Sequence, residues 1–142
     1  MLVRLLYASR AAAPLTAAVL DSILEQSRAN NPAAGITGVL CFSDDLFIQV
    51  LEGGRDEVCG LYNTIVRDNR HAHVCILSYE EIRERRFGGW TMGQVNIAKV
   101  NPTLLLKYSE RAELNPFSCS GQASMALLDD LIATASVVSR GG

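Results

Sequence analysis

GITGVLCF (residues 35–42) and LFIQVL (residues 46–51) are two short apolar runs, and only Ser43, Asp44 and Asp45 separate them. Runs of this length that contain β-branched and aromatic residues are typical of strands. A short connection of Ser and Asp is typical of a tight turn between antiparallel strands. The stretch 35–51 therefore predicts a β-hairpin.

The segment before the hairpin predicts a strand followed by a helix. LVRLLYAS (Leu2–Ser9) is mostly apolar on both alternating faces, so we expect a strand in a sheet that is covered on both sides. Pro14–Ala29 carries apolar residues at helical spacing, and Pro14 suits a first helical turn. Asn30-Asn31-Pro32 predicts the end of this helix, because Pro cannot continue the hydrogen-bond ladder.

The segment after the hairpin predicts a helix and two further strands. The helix has an apolar side formed by Val58, Leu61, Tyr62 and Ile65. The strands are Val74–Ile82 and Phe87–Val95, on either side of the charged turn 83–86. The order β-α-β-β-α-β-β predicts the α+β class and a ferredoxin-like sandwich, with both helices on one face of the sheet.

Two more helices are predicted in the last third of the chain. Asn101-Pro102 opens a short one, and Gln122–Val138 gives a longer one. The longer helix has an apolar stripe of Met125, Leu128, Leu131, Ile132 and Ala135. We expect this pair to cover the second face of the sheet. Only the Gly141-Gly142 end is expected to fray.

The composition narrows the function classes. The chain has 142 residues, 13 basic and 15 acidic, so the basic excess typical of a nucleic-acid binder is missing. Four cysteines lie far apart without a C-x-x-C pair, which argues against a zinc ribbon or a disulfide scaffold. The N-terminus is a poor signal peptide, and no apolar run approaches the roughly 20 residues of a membrane helix. We expect a soluble single domain in the cytoplasm, with no nucleic-acid or membrane partner.

Three polar residues occupy positions where a simple core would be apolar. They are Tyr7 in the first strand, Asn31 at the end of the first helix, and Gln49 on the same strand face as Phe47 and Leu51. A buried amide or phenol needs a hydrogen-bond partner, so each suggests a polar site. The ordinary alternatives are a core aromatic for Tyr7, a helix cap for Asn31 and a solvent-facing edge position for Gln49.

With these residues in place, the sequence resembles a known family. The matching segments are RLLYAS (4–9), SRANNPAAGITGVLCF (27–42), FIQVLEG (47–53), IVRDNRH (65–71) and RRFGGWTMG (85–93). They resemble, in order, the BLUF family of blue-light sensors that use flavin. The resemblance implies a flavin-binding photosensor domain over residues 1–95 and a C-terminal helical extension, a cap or signal output, over residues 96–142.

The resemblance also assigns roles to individual residues. It implies that FAD lies between the first two helices, with FMN or riboflavin left open. Tyr7 is then the photochemical electron donor, and Gln49 stands between its phenol and the flavin. Light would rotate or tautomerise the Gln49 amide and so produce the red-shifted signalling state of the family. The cofactor-binding positions fall on Leu24, Ser27, Asn30, Asn31, Arg67, Asp68, Arg70 and His71.

Two residues near the last strand are predicted to pass the signal on. Trp90 and Met92 match the family's pair of variable orientation, and two residues two apart on a strand share a face. The alternative is that both are ordinary core residues. One departure concerns Thr64, which stands where some members have a basic residue one turn before Asp68, so Arg67 and Arg70 are the remaining nearby cations for the diphosphate. The alternative for either arginine is a solvated surface charge.

The function predicted from the sequence is a blue-light receptor with no catalytic turnover of its own. Its partner would be an unidentified effector protein contacted non-covalently, and self-association into a homo-oligomer is plausible. The alternatives are a small ferredoxin-like enzyme and a regulatory module that binds a metabolite. His71 and His73 lack a third ligand nearby in sequence, so no metal site is expected.

Overall fold

A computed structural model describes residues 1–134 of the chain. Five strands are present in this part of the chain: β1 (Leu2–Ala11), β2 (Thr37–Phe42), β3 (Leu46–Gly54), β4 (His71–Ile82) and β5 (Gly93–Asn96). Four α-helices accompany them: α1 (Ala17–Ala34), α2 (Arg55–Arg67), α3 (Pro102–Tyr108) and α4 (Gly121–Thr134). A short 3₁₀ turn, Pro116–Ser118, lies between α3 and α4. The predicted order of elements is confirmed.

The strands form one mixed sheet in the order β4-β1-β3-β2-β5. The pairs β1–β3, β1–β4 and β2–β3 are antiparallel, and only β2–β5 is parallel. The hairpin closes with Phe42 opposite Phe47. This topology is the predicted α+β, ferredoxin-like arrangement with one added strand, and it makes β3 an interior strand flanked by β1 and β2.

Both faces of the sheet are covered, as the apolar pattern of β1 predicted. Val3, Leu5 and Tyr7 contribute to the buried cluster beneath α1 and α2. Leu6 and Ala8 contribute to the cluster on the opposite face, which α3 and α4 cover with Leu105, Leu127, Leu128 and Leu131. The chain therefore has two cores separated by a single sheet.

The first helix differs from its prediction at both ends. It begins at Ala17 because Thr16 caps it, accepting a hydrogen bond from the Val19 amide at 3.2 Å. It continues through Pro32, which was predicted to stop it, and ends at Ala34, with Gly35 as its C-cap. A proline in the last turn removes a single donor from the ladder. Gly35 adopts a left-handed φ of 70°, and its N–H donates to carbonyls of that turn.

The predicted strand Phe87–Val95 is wrong over most of its length, because β5 begins only at Gly93. The Trp90 N–H donates to the Phe87 carbonyl at 3.0 Å, so residues 87–90 form a turn and regular pairing with β2 begins only at Gly93. Trp90 and Met92 therefore do not share a strand face. Trp90 packs on the α3–α4 side, whereas Met92 belongs to the cluster beneath α1 and α2.

The C-terminal helices follow their sequence signals. Asn101 caps α3 by accepting a hydrogen bond from the Thr103 amide at 2.9 Å. The predicted residues Ala135, Val138 and Gly141-Gly142 lie outside the described part of the chain. Within residues 1–134, no helix has both the length and the apolar character that crossing a bilayer would need.

Candidate functional site

Tyr7 and Gln49 are direct neighbours across the β1–β3 pair, and both side chains are buried beneath α1 and α2. The Tyr7 hydroxyl donates to Gln49 Oε1 at 2.5 Å. Because β3 is an interior strand, the alternative of a solvent-facing edge position for Gln49 is wrong. The two side chains that the family resemblance singled out thus form one buried hydrogen-bonded pair.

The other end of the Gln49 amide contacts Met92. Gln49 Nε2 donates to Met92 Sδ at 3.3 Å, and the methionine is fully buried. An amide presents an acceptor at one end and two N–H donors at the other. Here the acceptor faces the Tyr7 phenol and one donor faces the sulfur. Thioethers are weak acceptors, so this end of the amide is held less firmly than the phenol end.

Asn31 lies in the last turn of α1 and is only 3% exposed. Its backbone carbonyl accepts from the Ile36 amide at 2.9 Å, so the main chain takes part in the end of the helix. The side chain does something else, because Asn31 Nδ2 is buried without a hydrogen-bond partner within residues 1–134. A buried donor of this kind costs about 1–3 kcal/mol when it stays unpaired. An acceptor on a bound ligand would satisfy this donor.

These residues border a cleft of about 200 Å³ between α1 and α2. Eight predicted site residues line it: Tyr7, Ser27, Asn30, Asn31, Gln49, Asp68, Arg70 and His71. Six lining residues were not predicted as cofactor contacts: Ile23, Gln26, Leu40, Leu61, Thr64 and Ile65. Of these, Leu61 and Ile65 belong to the apolar side of α2, and their pattern alone indicates packing rather than ligand contact.

Two predicted cofactor residues lie away from the cleft lining. Leu24 is buried in the core cluster, and its neighbour Ile23 lines the cleft instead, because consecutive residues on a helix point about 100° apart. Arg67, the last residue of α2, is exposed, while Thr64 one turn earlier faces the cleft. The structure thus brings together eight of the predicted site residues and leaves these two outside.

An ion pair closes one end of the cleft. Arg70 Nη2 lies 2.6 Å from Asp68 Oδ2, and the same nitrogen donates to Gln26 Oε1 of α1 at 2.7 Å. The hydrogen bond from Arg70 lowers the pKa of Asp68 below its ordinary value, although partial burial opposes the shift. The carboxylate therefore stays charged and holds the guanidinium in place. Arg70 in turn links the end of α2 to α1 across the cleft.

His71 is the first residue of β4, and its ring lies between the sheet and the cleft. His71 Nδ1 is 2.8 Å from the Ser9 hydroxyl, and the ring centroid is 4.7 Å from that of Phe47. Burial lowers the pKa of His71, and the nearby Asp68 charge opposes that shift. The folded chain therefore favours the neutral imidazole, which can donate and accept hydrogen bonds at the same time.

The surroundings of Tyr7 keep its phenol protonated. Burial raises its pKa far above the ordinary value, and Tyr62 and Asp68 raise it further. The Tyr62 ring meets Tyr7 edge to face, with centroids 5.8 Å apart. A neutral phenol on a short hydrogen bond can lose an electron and a proton together, whereas a phenolate has no proton to lose.

The residues present fit a flavin. The cleft is lined by apolar side chains from both helices, Ile23 of α1 and Leu61 and Ile65 of α2, which suit the faces of a flat aromatic ring. The unpaired Asn31 Nδ2 and the Gln49 amide suit the carbonyl edge of such a ring.

A second cavity of about 240 Å³, between α3 and α4, is lined by residues 109–119 and contains none of the predicted site residues.

Known proteins resemble this chain in family, sequence and fold. The family model described as "BLUF: Sensors of blue-light using FAD" matches residues 2–93. Photoactivated adenylate cyclase subunit beta of Euglena longa is 35% identical over 92 residues, which are 64% of this chain. These residues are 11% of that protein, so the chain spans about a tenth of the relative's length.

Two solved structures match along most of their own length. The photo-activated state of BlsA superposes with a TM-score of 0.81 at 32% identity, covering 93% of this chain and 95% of that one. The dark state of BlrB, a BLUF protein, superposes with a TM-score of 0.71 at 33% identity and the same two coverages. In both cases the match extends beyond the part of the chain that the family model covers.

Proposed function

Since this chain belongs to the BLUF family of sensors of blue light using FAD, we propose that it binds FAD non-covalently in the α1–α2 cleft and signals through the Tyr7–Gln49 hydrogen bond. The family sets the general function, a flavin-based light sensor. The proposal adds the flavin form, FAD rather than FMN or riboflavin, and the residues that carry the response.

Polar side chains of the cleft would hold the flavin. Asn31 Nδ2 is buried without a partner in the described chain, so a ring carbonyl is the acceptor that would satisfy it. Asn30 and Ser27 lie beside it on α1, toward the mouth of the cleft. Arg70, held by Asp68, would face the phosphates, with Arg67 as a second cation at the outer end of α2.

The photochemical step is proposed to use the chain's own hydrogen-bond pair. When bound, flavin supplies blue-light absorption and an excited state that accepts an electron. Tyr7 would release the electron, while its proton moves along the 2.5 Å contact toward Gln49 Oε1. The amide can then turn or tautomerise, because its sulfur contact with Met92 is weak. The return of both the electron and the proton to Tyr7 would restore the neutral phenol and leave the amide with its donor and acceptor ends exchanged.

The observation that carries the proposal is the orientation of Gln49. Its oxygen accepts from Tyr7 and its nitrogen donates to Met92 at 3.3 Å, both inside one buried cleft. Exchanging the two ends replaces every hydrogen bond of the amide at once. An amide can do this without a change of charge, which glutamate or leucine at position 49 could not do.

An absorption experiment tests the proposal. The purified chain, loaded with FAD, is recorded in the dark and after a blue flash, beside Gln49→Leu. The wild-type band is expected to shift reversibly to longer wavelength, and the variant is expected to bind flavin without shifting. A chain that takes up no FAD, or a variant that shifts normally, would overturn the proposal.

The signal output is also part of the proposal. We infer no catalytic turnover in this chain, a photosensor domain over residues 1–95 and an output extension over residues 96–142. Met92 would pass the change on from inside the cleft, and Trp90 from the α3–α4 side. An effector protein contacted non-covalently, or a second copy of the chain, would read it. Size-exclusion chromatography in dark and light separates these two cases, because only self-association changes the elution of the purified chain.

A further inference from the structure

Glu52 is a fully buried carboxylate near the end of β3, three residues after Gln49. Arg4 on β1 lies opposite it and contacts its Oε2 through both Nε and Nη2, each at 2.8 Å. Burying a carboxylate is costly unless it is paired and also hydrogen-bonded. The arginine pairing alone leaves further acceptor capacity on the carboxylate, since an ionised carboxylate has about four lone-pair sites.

Two backbone amides use that capacity. The Arg86 N–H donates to Glu52 Oε2 at 3.0 Å, and the Phe87 N–H donates to Oε1 at 2.6 Å. Hydrogen bonds to an ionised acceptor are about twice as strong as neutral ones. Residues 86 and 87 lie outside any helix or strand, so their backbone N–H groups have no partner in a helix or a sheet. The Glu52 carboxylate accepts their hydrogen bonds instead.

The chain between residues 86 and 92, here the 86–92 segment, connects this anchor to the photochemical pair. Beyond Phe87 it turns, and the Trp90 carbonyl accepts from the Gly38 N–H of β2 at 3.1 Å. It then delivers Met92, whose sulfur accepts from Gln49 Nε2 at 3.3 Å. Glu52 and Gln49 thus hold the two ends of the same segment from a single strand.

We propose that Glu52 is a positioning residue for the photocycle: by binding the amides of Arg86 and Phe87, it fixes the 86–92 segment so that the Met92 sulfur stays on the Gln49 amide. The proposal rests on the proposed function above. The Met92 contact helps to define the dark orientation of the amide. Loosening the segment removes that contact. The return to the dark orientation is then less favourable in free energy, and dark recovery is expected to be slower.

A purely structural role for Glu52 makes a different prediction. If the carboxylate only balances Arg4, then disturbing that ion pair from the other side should have the same effect. Glu80 on β4 provides this control, because its carboxylate contacts Arg4 Nη1 at 2.8 Å. Glu80→Gln weakens the charge balance of Arg4 and leaves the two backbone amides with their partner.

The test compares dark recovery after a blue flash in the FAD-loaded chain and in three variants. Glu52→Asp keeps the charge but shortens the side chain, so that it no longer reaches both amides. It is expected to recover about fivefold more slowly, as expected for one lost hydrogen bond. Met92→Leu is expected to slow recovery by a similar factor, and Glu80→Gln to recover at the wild-type rate.

The decisive comparison is the double variant Glu52→Asp with Met92→Leu. If Glu52 acts through Met92, the double variant recovers at the rate of Met92→Leu alone. Multiplied effects of the two changes, or equal slowing by Glu80→Gln, would overturn the proposal. A wild-type chain that shows no photocycle would instead overturn the proposed function, so the two failures are distinguishable.

A measurement on the unaltered chain applies if Glu52→Asp does not fold. Hydrogen exchange reports directly on the amides of Arg86 and Phe87. We expect both to be protected in the dark to the same degree as the β2–β3 ladder, within about tenfold. Exchange at the rate of an open loop would overturn the anchoring role of Glu52.

Discussion

At the scale of the residue, the Tyr7 hydroxyl is the group whose removal should be most informative. Tyr7→Phe deletes the 2.5 Å hydrogen bond to Gln49 and keeps the buried ring. We expect flavin to stay bound and the light-induced red shift to be lost, because phenylalanine cannot release an electron and a proton together. Absorption spectra in dark and light measure this.

Tyr62→Phe is the matched control for that change. The Tyr62 ring touches Tyr7 edge to face but contributes no hydrogen bond to Gln49. It should therefore keep the red shift. Loss of the shift in both variants would show that removing a hydroxyl from either ring abolishes the response, so that the Tyr7–Gln49 hydrogen bond has no special role.

Asn31 is predicted to increase the affinity for flavin without stabilising the flavin-free chain. Asn31→Ala removes the buried Nδ2 that has no partner in the described part of the protein. The dissociation constant for FAD should rise about tenfold, the effect of losing one or two kcal/mol of hydrogen bonding. The free energy of unfolding of the flavin-free chain should not fall, because an unsatisfied donor is removed and alanine favours the helix.

Fluorescence titration and denaturant unfolding measure the two effects of Asn31→Ala. The control is Asn63→Ala, an exposed position on α2 outside the cleft lining, which isolates the gain in helix propensity. A flavin affinity unchanged by Asn31→Ala would contradict the role assigned to this amide.

The histidine of the cleft should make stability depend on pH. Burial lowers the pKa of His71 from 6.5, so the unfolded chain binds its proton more readily than the folded chain does. Its contribution is fully present above pH 6.5 and is lost as the pH falls below that value. We expect the unfolding free energy to decrease between pH 7 and pH 5, and this decrease to be smaller in His71→Gln. Equal slopes for both proteins in urea titrations would refute the assignment.

At the scale of the element, the start of α4 lies so close to β4 that only glycine fits at position 121. A Cβ on Gly121 would stand 2.0 Å from the Leu77 carbonyl oxygen. Gly121→Ala should therefore push the start of α4 off the sheet and destabilise the chain by about 1–3 kcal/mol. Gly60 on α2 has no atom within 4 Å of such a Cβ, so Gly60→Ala should stabilise the chain by about 0.5–1 kcal/mol.

Thermal or denaturant unfolding of the two glycine variants measures this contrast. Both changes add the same methyl group to a helix, and opposite signs are predicted because only the methyl group at position 121 would meet β4. Stabilisation by Gly121→Ala would mean that α4 does not rest on β4 as the structure shows.

The elements also show how far the sequence could predict this protein. The period of two in β1 and β3 places Tyr7 and Gln49 on buried faces, and register then makes them direct partners. The extension of α1 through Pro32 was not predictable from the pattern. A proline in the last turn of a helix removes only one hydrogen-bond donor, and the Gly35 N–H satisfies carbonyls of that turn. The positions of Trp90 and Met92 depend on a turn between residues 87 and 90, which a strand pattern cannot reveal.

The burial of Glu52 could not be predicted from the sequence pattern either. Glutamate is almost never fully buried unless it is paired, and its partners come from β1 and from the 86–92 segment, which are distant in sequence. The apolar pattern singled out Tyr7, Gln49 and Asn31 as polar residues at core positions, and the family resemblance supplied their roles. The resemblance did not indicate that Leu24 turns into the core or that Arg67 lies outside the cleft lining.

At the scale of the whole molecule, one sheet separates the flavin side from the helical extension. The 86–92 segment joins the two sides: Met92 contacts Gln49, and the Arg86 side chain pairs with Asp129 of α4 at 2.9 Å. The second link is exposed and contributes little to stability. It nevertheless places the segment that contacts the Gln49 amide in direct contact with the last described helix.

The most direct test of the central claim is a light-minus-dark infrared spectrum of the FAD-loaded chain. Reorientation of the Gln49 amide gives a flavin carbonyl a new hydrogen-bond donor, so its stretching band should move to lower frequency in the light. The movement should be absent in Gln49→Leu. A flavin carbonyl band that stays fixed in the wild-type chain while the visible spectrum shifts to the red would contradict the account.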